Sequence, residues 1–351
     1  MIKNSFYFFC VLIILGVGLF QRINYHSRNG YNSDEMYQLM NVQKLKNFNV
    51  IFKNSQFYGD HTTFPGEFIL HYQFLKWSGL FSNPAKIELD KSKAENVTME
   101  QLDKLIFPKM ILTILAVLVF FLLCTEHIKT WLGVIVATII FSFHPHLIMH
   151  SLEFRPYGAL IALGIFNFFL VNKDGKLCKI LYYSIFFITC IYHAYGILIA
   201  GLPLVYNLYK KNGWLKIPKG FILVIILSLM AWGYYAAANN FGISPNNEQN
   251  KVNSFEYIPV ANIFEKVLSQ PFGNMALYTI FIPLIFLSMI KSQEGLSFFI
   301  LLIALPITLI ILVDLKTNYW ILGRQWCWVI PFFCLFVGKQ LDKLAGKENG
   351  I

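Results

Sequence analysis

The chain has 351 residues, of which 56% are hydrophobic and only 14% charged, with a formal net charge of +10 and a mean hydropathy of +0.54. That balance excludes an ordinary water-soluble domain, where charged residues supply about a quarter of the chain. The positive excess lies on lysines in short loops between apolar runs, which reads as membrane topology and contact with lipid surfaces, not nucleic-acid binding.

In chain order the apolar runs are Ser5–Gln21, Phe107–Cys124, Trp131–Leu147, Pro156–Val171, Ile180–Tyr192, Gly196–Leu208, Gly220–Ala238, Met275–Ile290, Gly295–Val313 and Trp320–Val337. A spanning helix needs about 20 mostly apolar residues, so the shorter runs need their interfacial flanks to complete them. No small-x-small cleavage site follows the first run, and it is expected to remain as a span. The stretch Ile180–Leu208 fits one long helix or two short ones, and charge decides between them. With a break near His193–Gly196, the loop lysines Lys210, Lys211, Lys216 and Lys219 join Lys3, Lys129, Lys173, Lys176, Lys179, Lys291, Lys339, Lys343 and Lys347 on one side. The positive-inside rule for short loops then places both termini in the cytoplasm. The expectation is an all-α polytopic membrane protein: a single domain over residues 1–351 with about ten transmembrane helices.

Two outer segments are long, 22–106 and 239–274. In the first, apolar residues at 36, 39, 40, 42, 45 and 48 form a stripe at helical spacing. This predicts an amphipathic juxtamembrane helix lying flat on the membrane. A second helical stretch is expected from Pro65 to Trp77. The six cysteines lie in or beside the runs and give neither a disulfide framework nor metal-ligand spacing. The abundance of lysine, asparagine, isoleucine and phenylalanine suits an AT-rich bacterial genome, which places the chain in an inner membrane.

The chemistry-bearing residues fall at the ends opposite the lysines. Asp34 and Glu35 open the flat helix. They fit first-turn capping by the helix dipole as well as a carboxylate base held at the membrane surface. Asp60 and His61 sit in a turn before the second helix. Glu153, Arg155 and Tyr157 open the fourth span. An arginine there either snorkels to headgroups or grips a phosphate with its two-pronged guanidinium, with Glu153 orienting it. His146 and His150 have the i, i+4 spacing of a metal pair, so a divalent metal stays open, although no third ligand is assigned. His193 and Tyr195 lie in the tight turn between the fifth and sixth spans, and Arg324 lies just inside the tenth. A charge that close to hydrocarbon faces protein or a wet cavity. Walker, dinucleotide-binding and nucleophile-elbow motifs are missing from the sequence.

Three segments resemble the polytopic, lipid-phosphate-sugar-dependent glycosyltransferases of the GT-C superfamily, in the branch of protein O-mannosyltransferases and lipid A aminoarabinose transferases. Ser33-Asp34-Glu35-Met36-Tyr37 resembles that family's Asp-Glu after the first span. Asp60-His61-Thr62-Thr63-Phe64 is similar to its Asp-x-His-Pro-Pro-Leu segment, with threonines in place of the proline pair. Ser151-Leu152-Glu153-Phe154-Arg155-Pro156-Tyr157 is similar to its Ser-x-Glu-x-Arg-x-Tyr segment. Weaker likeness lies in His193-Ala194-Tyr195-Gly196 and in Arg324 followed by Pro331.

The resemblance implies an outward-facing active site with Asp34 as catalytic base, Glu35 assisting, and Arg155 and Arg324 binding the donor phosphate. Asp60, His61, Glu153, Tyr157, His193 and Tyr195 would line the cavity. It also implies a polyprenyl-phosphate-sugar donor and a glycan, lipid or protein acceptor, with the active face toward the periplasm or exterior. A translocator of lipid or polysaccharide would need the same cavity but no general base.

Overall fold

The computed structural model describes residues 2–29, 99–153, 155–193, 195–211, 222–230, 293–317 and 323–346. Among these the chain is helical, with no β-strand. Three helices are long and apolar enough to cross a membrane, at Ser5–His26, Phe107–His127 and Glu294–Leu312. Trp131–Phe143 and Pro156–Leu170 are shorter apolar helices. The expected spans over Gly220–Ala238 (beyond 222–230) and Met275–Ile290 lie outside the described residues, as do the two juxtamembrane helices and the segment 239–274.

The first helix, α1 (Ile2–Asn29), runs well past the apolar stretch that predicts it. Its buried positions are Val11, Leu15, Gly18, Arg22 and His26, a stripe three or four residues apart. Phe6, Phe9, Ile13, Val17 and Phe20 are exposed on the other side. Both faces are therefore apolar through the first four turns, as suits a helix between protein and lipid. The stretch 22–106, expected as a loop, is corrected at both ends: α1 continues to Asn29, and α2 (Met99–His127) begins before Phe107.

The expected third span, Trp131–Leu147, is corrected as well. It divides into α3 (Trp131–Phe143) and the short α4 (Pro145–His150). His144 precedes Pro145, whose ring disfavours a helical backbone in the residue before it. His144 accordingly takes φ −63° and ψ 122°. Next come α5 (Pro156–Leu170), α6 (Lys176–Tyr192) and α7 (Gly196–Lys210). The break between α6 and α7 falls where the charge argument puts it, with His193 fully extended.

Toward the C-terminus, α8 (Gln293–Phe299) passes through one π-helical turn, Ile300–Ala304, into α9 (Leu305–Thr317). The wider turn ends just before Pro306, which lacks an N–H and whose ring would crowd the carbonyl four residues back. A 3₁₀ segment, Gly323–Val329, then leads into α10 (Ile330–Gly346).

The bundle closes around α5, nearly all of which is buried, with α2, α6, α7 and the 3₁₀ segment packed against it. Trp326, Trp328, Phe332, Phe336, Phe168 and Phe120 are fully buried at its centre. Small residues let helices approach closely where lipid supplies no hydrophobic drive. A Cβ on Gly133 of α3 would stand 2.6 Å from the Gly338 carbonyl oxygen of α10. Inside the bundle, Asn167 Nδ2 donates to Thr189 Oγ1 at 2.8 Å, which ties α5 to α6.

The two ends of the bundle differ. At one, the lysine end, Lys173 pairs with Glu126. Lys210 and Lys339 both reach Glu294, at 3.4 and 3.2 Å. Asp342 accepts from the backbone N–H groups of Lys129 and Thr130, at 3.0 and 2.5 Å, and so ties α10 to the segment that opens α3, whose N-cap is Thr130. The other end carries His144, His146, His150 and His193.

Candidate functional site

The histidine end is organised around the five residues 151–155, which join α4 to α5. Arg155 takes the N-cap position of α5 in an extended conformation, and Pro156 follows at the first helical position. Proline is suited there because its φ is preset and its missing N–H would be unpaired anyway. The Arg155 side chain makes no capping bond. The segment lies hard against α5: a Cβ on Gly158 would stand 2.5 Å from the Ser151 carbonyl oxygen, so glycine sets this approach.

Buried backbone carbonyls need donors, and here two cations from distant helices supply them. Arg22, 2% exposed, donates from Nε to Ser151 Oγ at 3.0 Å. Its terminal nitrogens reach the carbonyls of Gly18 at 2.9 Å, Ser142 at 3.1 Å and Phe141 at 2.8 Å. Phe141 and Ser142 belong to the last turn of α3, whose carbonyls have no partner within the helix. The guanidinium thus closes a helix end and holds the neighbouring segment at once. Thr113 Oγ1 donates to the Ser151 carbonyl at 3.2 Å, and Lys109 Nζ donates to that of Glu153. Beside Arg22, Thr113 and Ser151 lies a cavity of about 10 Å³, near the lower limit for one water.

The Glu153 side chain meets His150: Oε2 and Nδ1 are 2.5 Å apart, both groups buried. The His150 ring stacks on His146 with centroids 5.8 Å apart, and it lies 5.5 Å from the Tyr157 ring. Arg155 Cζ stands 6.0 Å over that same Tyr157 ring. The Tyr157 ring therefore meets both Arg155, in a cation–π contact, and His150, whose ring is tilted by 59° to it. Among the described residues, no group of three His, Cys, Asp or Glu side chains converges as a metal site.

Between α6 and α7, His193 Nδ1 accepts from the Tyr195 N–H at 3.3 Å, and the two rings lie 4.9 Å apart. Loss of hydration, and after it the positive charge of Arg155, hold the His193 imidazole well below its usual range. The ring is neutral at ordinary pH, so it offers a hydrogen bond without a charge. Tyr195 OH accepts from Gln325 Nε2 at 3.0 Å, which joins the α6–α7 turn to the 3₁₀ segment.

Of the residues singled out in the sequence, Glu153, Arg155, Tyr157, His193 and Tyr195 come together at this end. The backbone of Arg324 precedes Gln325 in the 3₁₀ segment, while its side chain lies outside the described residues. Asp34, Glu35, Asp60 and His61 also lie outside them. Sequence reading missed Arg22, Lys109, Thr113 and Gln325, and it named Ser151 only as the start of a motif, without a role. A signal existed for the first two: each is a cation at the edge of an apolar run, where a charge is costly unless it is held.

Among the described residues, the fold and this end define a helical protein with three membrane-length apolar helices and a buried cluster of histidine, arginine, lysine and glutamate. Compared with known proteins, the chain matches no family model and no curated protein.

Proposed function

We propose that the protein is an integral membrane glycosyltransferase that moves a sugar from a polyprenyl-phosphate donor to an acceptor hydroxyl. In this reading about ten helices cross a bacterial inner membrane. The lysine end faces the cytoplasm by the positive-inside rule, and the histidine end faces the periplasm or exterior. Nucleotide sugars are made in the cytoplasm, so an outward-facing transferase needs its donor delivered through the bilayer. A polyprenyl tail between helices, with the sugar phosphate at the interface, meets that need.

The acceptor oxygen attacks the anomeric carbon, and Asp34 takes the hydroxyl proton, with Glu35 beside it in the sequence. The bond from that carbon to the phosphate oxygen breaks on the opposite face, giving inversion, and its electron pair leaves with the polyprenyl phosphate. Arg155 and Arg324 stabilise the charge that builds on the phosphate, a contribution that is often the largest in such reactions. Asp60, His61, Glu153, Tyr157, His193 and Tyr195 line the cavity.

The observation that supports this reading best is the convergence of Arg155 with Tyr157 and with the Glu153–His150 pair at the end opposite the cluster of Lys173, Lys210 and Lys339. The test is sugar transfer by the purified protein in detergent, with a panel of labelled polyprenyl-phosphate sugars. Arg155→Met is expected to lower the rate about 10²–10³-fold, as when an oxyanion-stabilising donor is removed. An Asp34→Asn protein working at the wild-type rate would remove Asp34 from its role. If the wild type forms no new glycosidic bond where donor and acceptor mix freely, the protein is a translocator or scaffold.

A further inference from the structure

We infer that the lysine end holds a site for the phosphate of an anionic phospholipid, built by Lys210, Lys339, Tyr206 and His127. The inference takes from the preceding reading only that this end meets the membrane surface, and it does not depend on sugar transfer. Glu294 opens the membrane-length apolar helix Glu294–Leu312, so in a bilayer its carboxylate meets the headgroup region. Two ammonium groups share that carboxylate, Lys210 of α7 at 3.4 Å and Lys339 of α10 at 3.2 Å. Neither has another carboxylate partner among the described residues. The Lys339 side chain is only 11% exposed, and its Nζ lies 5.2 Å from the centre of the Phe298 ring. One carboxylate holds the two lysines together but balances the charge of only one, and the remainder is costly beside hydrocarbon.

Unused hydrogen-bonding groups lie beside these charges. Phe298 packs on the Tyr206 ring with centroids 5.2 Å apart. Phe168 touches both rings and also meets that of His127 at 5.3 Å. Tyr206 is 3% exposed, yet its hydroxyl has no hydrogen-bond partner among the described residues, and neither has the buried His127 Nε2. The charges of Lys339, Lys210 and Glu294 reach the His127 imidazole, and that of Glu294 reaches the Tyr206 hydroxyl. Buried polar atoms are ordinarily paired, and leaving two unpaired in one locality is unfavourable. A phosphate supplies what both kinds of group lack. Its charge answers the second ammonium, and its oxygens accept from the Tyr206 hydroxyl and from His127 Nε2–H in the tautomer that carries the proton there. Lys210 is about half exposed and can turn from Glu294 to a headgroup. The depth of the site selects a lipid as the source, since basic pockets between helices on the cytoplasmic side take anionic headgroups.

The purified full-length protein in detergent would be titrated with dioctanoyl phosphatidylglycerol, with the phosphatidylcholine of the same chains, and with inorganic phosphate. The anionic lipid is expected to bind most tightly of the three. Lys210→Met and Lys339→Met should each weaken its binding about tenfold or more, as for loss of a charge-assisted hydrogen bond. Tyr206→Phe, which leaves every charge in place, should weaken it about threefold to tenfold. Lys179→Met, at an exposed lysine of the same end outside the cluster, should change nothing. Equal weakening by Lys179→Met and Lys210→Met would show general attraction to a basic face and overturn the site, as would equal affinity for the two lipids. Inorganic phosphate binding as tightly as the anionic lipid would overturn the lipid assignment. Should Lys339→Met fail to fold, Lys210→Met and Tyr206→Phe decide the matter without it. Lipid binding through this cluster by a protein that transfers no sugar would leave the site standing and sink the transferase reading alone.

Discussion

The two ends of the bundle use the same kinds of charged side chain in opposite ways. At the lysine end, lysines meet carboxylates across helix ends, with Lys210 and Glu294 both about half exposed. At the histidine end, Arg22 and Lys109 are buried and hold backbone carbonyls of residues far away in the sequence. Water can replace the first kind of contact at little cost. Nothing replaces the second, because a buried carbonyl that loses its donor forfeits its hydration as well. The difference teaches that the lysine end records which way the chain threads, while the histidine end has been built to one geometry.

The sharpest way to break that contrast is Arg22→Met. It should destabilise the protein by about 2–5 kcal/mol, since two helix-end carbonyls and Ser151 lose a donor together. Chaotrope unfolding in detergent, followed by tryptophan fluorescence, measures this; a loss below that of the Asp342 variant described next would erase the distinction between the ends. At the lysine end Asp342 accepts two backbone N–H groups just before α3, and Asp342→Ala should cost about 1 kcal/mol, the usual net worth of such hydrogen bonds.

His193 sharpens the comparison through pH. Its folded value lies below that of the unfolded chain, which is near 6.5. As pH falls below about 6.5 the unfolded state takes up the proton first. The contribution to stability is therefore complete above that pH and declines as acid is added toward the folded value. His193→Gln should flatten the acid side of a stability–pH curve, while an unchanged slope would show that the imidazole is not held neutral. The smallest effect is expected from Lys210→Ala, about 0.2–1 kcal/mol at low salt and less at 1 M, because both partners are solvated. A cost that high salt leaves unchanged would show this end to be more closely built than its exposure implies.

How much of this was legible depended on whether a feature writes itself locally. The turn between α6 and α7 was readable because only a break there puts Lys210 on the same side as Lys173. Pro156 announced the start of α5, and with it the position of Arg155. Pro145 was just as explicit, yet the continuous hydrophobicity of Trp131–Leu147 hid the division that it makes. Arg22 was lost for a related reason: a hydropathy reading stops at the first charge, whereas α1 continues because Arg22 extends the buried stripe of Val11, Leu15 and Gly18. Its partners in α3, Phe141 and Ser142, contribute backbone oxygen, which every residue has, so no pattern of side chains could have named them. Ser151 stands in a recognisable motif, yet nothing in that motif ties its hydroxyl to Arg22. Gln325 was equally silent, since its meeting with Tyr195 depends on how the 3₁₀ segment packs.

The widened turn at Ile300–Ala304 has a consequence for the helix that contains it. Phe298 is buried before the turn, Leu302 and Ile303 within it, and Pro306, Ile307 and Ile310 after it. The wider turn takes up its extra residue locally, so the buried face continues on both sides of it. Removing one residue from this turn would make a more regular helix and a worse fit. One half would swing by about 100°, the angle each residue contributes, and Ile307 and Ile310 would turn away from the neighbours they now face. Local irregularity here is the condition for alignment over the helix as a whole.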